Sequence, residues 1–197
     1  MSSSSDDELT AKATRRVLLL LDIQIAMLDP PPRGVHSAAA VRANVWRILK
    51  LAREASPPPL IVHVRNTGEK GDADEPHTPG WHLVFAPLPH EPVVDKLKNN
   101  AFAGTRLPAL VTPDAEIVVV GMQTDYCVRA TCSAALGRGN EVLLIKGAHA
   151  TYDGMQAWNG GIKIPASKIE VDTEAELEEA GVVLMDMSDI PGIFANR

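Results

Sequence analysis

Glu116-Ile117-Val118-Val119-Val120-Gly121-Met122-Gln123-Thr124-Asp125-Tyr126-Cys127-Val128 joins two patterns in one stretch. Glu116 to Val120 is a short apolar, β-branched run, which suits a strand buried on both faces. From Val128 to Gly137 small and apolar residues recur at helical spacing, so a helix is expected over Tyr126–Arg138 with Cys127 in its first turn. The unpaired N–H groups and positive dipole end of such a turn favour a thiolate over a thiol. The same N–H groups can hold the oxyanion that forms when a carbonyl is attacked. A lone cysteine is more often an inert packing residue, so the reading depends on what else reaches the same place.

Working outward, strand-like and helix-like segments alternate, the pattern of an α/β protein with a parallel sheet of about six strands in three layers. Strands are expected at Arg16–Asp22, Leu60–Val64, Val93–Asp95, Glu116–Val120, Glu141–Ile145 and Val182–Met185. Helices are expected over Ala38–Glu54, near Arg106–Val111, and over Lys168–Ala180. Asp22 ends the run Val17 to Leu21, and Lys96 ends Pro92 to Asp95, so an acid and a base each sit at the carboxyl end of a strand. In an open parallel sheet those ends share one edge, where ligand crevices form. Residues 66–93 form an irregular excursion, and a loop of that length inside a compact domain is usually functional.

Length and composition fit one domain over residues 15–197: the chain has 197 residues, 45% hydrophobic and 22% charged. Residues 1–14 are rich in Ser, Asp and Glu, which describes a disordered tail. No secretory signal or membrane-length apolar run is visible, so a cytoplasmic location is expected. The net charge of -6 and the scatter of Lys and Arg suggest no nucleic-acid or membrane partner and favour a small molecule. Cys127 and Cys132 are five apart on one expected helix, about 7.5 Å along its axis, too far for an easy disulfide. Cys132 is read as helix packing.

The motifs resemble the isochorismatase-like cysteine hydrolases. The matching pieces are Leu20-Leu21-Asp22-Ile23-Gln24, then Val94-Asp95-Lys96 with Ala101-Phe102-Ala103-Gly104-Thr105-Arg106-Leu107, then Gly121 to Thr131, then Gly147-Ala148-His149-Ala150-Thr151. The resemblance implies a catalytic triad of Asp22, Lys96 and Cys127, a non-proline cis peptide between Met122 and Gln123, and an oxyanion hole from the N–H groups of Gln123 and Cys127. It also implies a homo-oligomer, a dimer or a tetramer. Gln24 and Phe102 within these motifs, and Trp81, Tyr126 and Tyr152 beside them, are expected to contact substrate; Trp158 also stands near. Trp46 reads as helix packing. The glycine-bearing segment 151–165 is expected to be mobile, as a lid or an oligomer contact.

In the expected chemistry Asp22 accepts the proton of Cys127, Lys96 keeps Asp22 ionised, and the sulfur forms a thioester with a small amide or ureido compound. Cleavage of a vinyl ether by the isochorismatase reaction is the first alternative, in which the thiol is not needed. A silent binding protein is the second, and rapid alkylation of a Cys127 thiolate by iodoacetamide near neutral pH would argue against it. Nicotinamidases carry a metal on an Asp-x-His pair just after the second strand. Here Ile61-Val62-His63-Val64-Arg65-Asn66-Thr67 has no such pair, and His77, His82 and His90 lack the spacing of a metal site. No metal or cofactor is expected, and His63 reads as a satisfied core histidine.

Overall fold

In a computed structural model that describes residues 16–156 and 160–194, the chain runs β1 (Arg16–Leu21), α1 (Ile25–Leu28), α2 (Ala38–Glu54), β2 (Leu60–Asn66), β3 (Val93–Lys96), α3 (Leu107–Leu110) and β4 (Glu116–Met122). It continues through a π-helical turn (Thr124–Val128), α4 (Arg129–Arg138), β5 (Glu141–Ala150), β6 (Gly154–Gln156), β7 (Ile162–Ile164), α5 (Ala166–Ala180), β8 (Val183–Met185) and α6 (Ile190–Ile193). The expected tail over residues 1–14 and Trp158 lie outside the described residues.

Six strands form one parallel sheet in the order β3-β2-β1-β4-β5-β8. Side chains alternate along a strand, and β1 shows the consequence. Leu18 and Leu20 enter a core with Val41, Val45, Ile48, Leu49 and Ala52 of α2. Val17, Leu19 and Leu21 enter the opposite core with Cys132 and Ala135 of α4 and Leu177 of α5. With helices over both faces, the central strands are apolar throughout, which is why they read as unbroken runs. Cys132 is fully buried in the second core, as its packing role requires.

Chain order places β2 and β3 on one side of β1, and β4, β5 and β8 on the other. The order therefore reverses at β1 and β4, and a crevice opens beyond their carboxyl ends. Gly121 sets how closely the two strands meet there. Its φ is +139°, and a Cβ built on it would lie 2.0 Å from the Leu21 carbonyl oxygen. The β4–β5 register also shifts between Val119 and Gly121, so this end of β4 departs from a regular ladder.

Several expectations differ from the structure at their ends. Helix α4 begins at Arg129, and the expected first turn containing Cys127 is instead the π-helical turn. Strand β5 continues to Ala150, carrying the Gly147 to Thr151 motif to the same sheet edge. The segment 151–165, expected as a lid or an oligomer contact, holds β6 and β7, paired antiparallel. Its strands of three residues are too short for a periodicity reading.

A Gly121→Ala substitution forces a methyl group against backbone, and overpacking of this kind typically costs about 1–3 kcal/mol. For a domain of this size the midpoint of thermal unfolding should fall by roughly 2–12 °C. An unchanged melting curve would show that β1 and β4 can separate without cost.

Candidate active site

Three strand ends deliver the principal side chains. Asp22 follows β1 directly, with a left-handed φ of +52° that aspartate tolerates better than most residues. Its backbone N–H donates to the Val64 carbonyl at 2.9 Å, which ties the turn to β2. Lys96 is the last residue of β3. Cys127 lies in the π-helical turn after β4, beyond a cis peptide between Met122 and Gln123. That turn is fastened to the end of β5 and beyond. The Thr124 hydroxyl and His149 Nδ1 lie 2.9 Å apart, and Thr151 Oγ1 donates to Asp125 Oδ1 at 2.6 Å.

The three side chains meet at the Lys96 ammonium. Its Nζ lies 2.9 Å from Asp22 Oδ2, 3.1 Å from Cys127 Sγ and 3.0 Å from Asn66 Oδ1, so each of its three N–H bonds has an acceptor. Asp22 and Lys96 are almost fully buried and Cys127 is 9% exposed. Asp22 Oδ1 is also buried but has no hydrogen-bond partner. An unpaired carboxylate oxygen in such a place is costly unless chemistry uses it.

Burial pushes the Asp22 carboxyl above its usual range, against the opposing pull of the Lys96 charge. For Lys96 burial works against the charged form, but the charge of Asp22 and contact with Cys127 outweigh it, and the ammonium is held more firmly than usual. Burial, then the Asp22 charge, pushes the Cys127 thiol up to about 12. Both influences favour the thiol form of Cys127. The direction is opposite to that expected of a helix-start thiolate: the loss of water, then the Asp22 charge, outweigh the pull of the Lys96 ammonium. Slow alkylation consequently no longer marks a silent binding protein.

Above these residues lies a cleft of about 360 Å³, within the usual range for small-ligand sites. Asp22 and Cys127 line it with three carboxamides, Asn66, Asn99 and Gln123, and with Met27, Met122 and Tyr126. Tyr126 is half-exposed at the wall. The other expected substrate contacts are engaged elsewhere. Gln24 is fully buried, its Nε2 donating to the carbonyls of Asn66 and Trp81 and its Oε1 accepting from Asn66 N–H, so it joins β2 to the excursion instead of facing the cleft. Phe102 packs in the second core beneath the Arg138 guanidinium, because the apolar face under α4 claims its ring. Trp81 lies against the Arg65 guanidinium at 3.4 Å. Tyr152 donates its O–H to the Arg33 carbonyl at 3.0 Å and backs onto Met27, one layer behind the wall.

His63 is buried and its Nε2 lies 2.9 Å from Glu91, which Arg53 also binds at 2.7 and 2.8 Å. Among the described residues no group of three His, Cys, Asp or Glu is arranged to hold a metal. Asn66 and Asn99 were not singled out from sequence. Asn66 ends β2, and the strand-end rule that selects Asp22 and Lys96 applies to it equally.

A parallel three-layer sheet gathers an acid, an ammonium and a thiol at its switch point, the place where open α/β sheets bind their ligands. The profile of the Isochorismatase domain matches residues 16–164, and the chain belongs to the isochorismatase family of hydrolases. It is 37% identical over 194 residues to a streptothricin hydrolase of Streptomyces noursei, covering 95% of this chain and 76% of that protein. A second streptothricin hydrolase of the same organism is 41% identical over 142 residues, or 70% of this chain, which spans half of that protein's length. Among solved structures, an isochorismatase from Pseudomonas putida KT2440 superposes with a TM-score of 0.78 at 27% identity, covering 92% of this chain and 96% of that one.

Because burial and the Asp22 charge favour the thiol form, iodoacetamide should label Cys127 slowly at pH 7, and the rate should climb without levelling through pH 10. A rate that levels off near neutrality would mean that the ammonium and the turn hold a thiolate after all.

Proposed function

We propose that this chain is a metal-independent cysteine hydrolase that cleaves a C–N bond of a small amide or ureido compound through a thioester on Cys127. The observation that carries the reading is the Lys96 ammonium bonded at once to Asp22 and Cys127 beneath the cleft, with Asp22 Oδ1 left free. The carboxamide and thioether lining suits an uncharged polar substrate, since the ammonium of Lys96 is already engaged.

Asp22 takes the thiol proton as the sulfur attacks the carbonyl carbon, so that charge passes to the carbonyl oxygen and the free thiolate is never a long-lived species. The N–H groups of Gln123 and Cys127 are assigned to that oxygen. Lys96 faces the sulfur throughout and compensates the negative charge that Asp22 and the sulfur share. The intermediate collapses, the C–N bond breaks, and Asp22 returns its proton to the departing nitrogen. Water then attacks the thioester, giving its proton to Asp22, and the product acid leaves as the thiol is restored. Similarity to the streptothricin hydrolases places streptothricin in the first panel of compounds to be offered, beside simple carboxamides and ureas.

The test is turnover of that panel together with mass spectrometry of the intact protein. An acyl adduct on the peptide containing Cys127 is expected. Cys127→Ala should abolish turnover, and Asp22→Asn should lower kcat by about 10²–10⁴-fold, the usual contribution of a positioned proton acceptor. Turnover of the panel retained by Cys127→Ala would remove the thioester. The acidic limb of kcat/KM, which reports the free enzyme, should lie above the usual aspartate value of about 3.9, in the direction that burial moves Asp22.

A further inference from the structure

Asp74 is a nearly buried carboxylate in the excursion after β2, one carboxamide removed from the Lys96 ammonium and not paired with it. Asn66 stands between them. Its Oδ1 accepts from Lys96 Nζ at 3.0 Å, while its Nδ2 donates to Asp74 Oδ2 at 2.7 Å. With a cation on one side and an anion on the other, only one orientation of the carboxamide satisfies both neighbours. The backbone of Asn66 is equally constrained, its N–H and carbonyl both bound by the Gln24 side chain. Asp74 is brought in closely because residue 68 is glycine: a Cβ there would lie 2.2 Å from Asp74 Oδ1. The Gly68 N–H also donates to the Asp74 carbonyl at 3.1 Å.

We infer that Asn66 is a positioning residue that separates Lys96 from Asp74 and so keeps the ammonium aimed at Asp22 and Cys127. A lysine stem is long and flexible, and a buried ammonium moves to whatever anions will neutralise it. Asp22, from the end of β1, pairs with this one directly, and Asp74, from the excursion, is linked to it through the Asn66 carboxamide. A direct pair with Asp74 would draw Nζ off the sulfur and leave Asp22 and Cys127 to share negative charge without compensation. The carboxamide prevents this by supplying Lys96 with a neutral acceptor and Asp74 with a neutral donor. The role concerns the same site as the thioester reading, but its test needs no substrate.

The readout is the rate at which iodoacetamide labels Cys127 at pH 9, located by peptide mass, in variants whose melting curves establish that they are folded. Asn66→Ala opens the way to Asp74, and labelling should slow about tenfold, approaching the rate of Lys96→Ala. Asp74→Ala alone removes the competitor and should label no more slowly than the parent. The pair Asn66→Ala with Asp74→Ala should regain most of the lost rate, an interaction that two independent structural lesions would not produce. If Asn66→Ala does not fold, Asn66→Ser, whose hydroxyl is too short to span the gap, is measured in its place with the same ranking expected. An unaltered rate in the Asn66 variant, slower labelling in Asp74→Ala, or a further loss in the pair would each overturn the assignment. Failure of the panel to turn over, with this ranking intact, would count against the thioester reading alone.

Discussion

The buried ammonium of Lys96 is the interaction around which the rest of the site is arranged. Taking a charge out of water is favourable only when every N–H finds an acceptor and a counter-charge lies close. Here a carboxylate, a carboxamide and a sulfur supply the three acceptors, from β1, β2 and the turn after β4. Each of those elements must therefore end at the same height. The parallel register of the sheet and the close approach at Gly121 achieve that, and a slip of one residue in β1 or β3 would turn Asp22 or Lys96 toward the other face.

The same arrangement explains the electrostatic character of Cys127. A helix-start cysteine in open surroundings is expected to ionise readily. Cys127 instead shares its pocket with an anion that water does not screen, and the thiol is held protonated. A protonated sulfur beside a carboxylate with a free oxygen is a proton donor and acceptor set before any substrate arrives. A sulfur held as the thiol reacts slowly with electrophiles and oxidants, since the thiolate is the nucleophilic form.

Much of this was legible in the sequence because the physics is local. The apolar runs of β1 and β4 announce strands buried on both faces, and the spacing of Val41, Val45, Ile48, Leu49 and Ala52 gives α2 its buried face. Asp22, Lys96 and Cys127 stand out because acidic, basic and thiol groups follow or end strands that the alternating pattern makes parallel. What stayed hidden depends on tertiary partners. Gln24 and Phe102 sit inside matching motifs, yet one is bound by the backbone of the excursion and the other by the core under α4. The role of Asn66 comes from facing Lys96 and Asp74 together, a relation between residues thirty and eight positions away that no periodicity encodes. The π-helical turn was equally unreadable, since its five residues have no distinguishing spacing.

The order in which the chain supplies the site has a consequence for biosynthesis. Asp22 emerges first, Lys96 next and Cys127 last, each on a different strand, and β4 must insert beside β1 before the sulfur can meet the ammonium. Until that insertion the thiol is an ordinary cysteine in water, with neither the burial nor the carboxylate neighbour that later restrain it. Chemical competence is thus a property of the finished sheet, and a nascent or partly unravelled chain would be both idle as a catalyst and most exposed to oxidation.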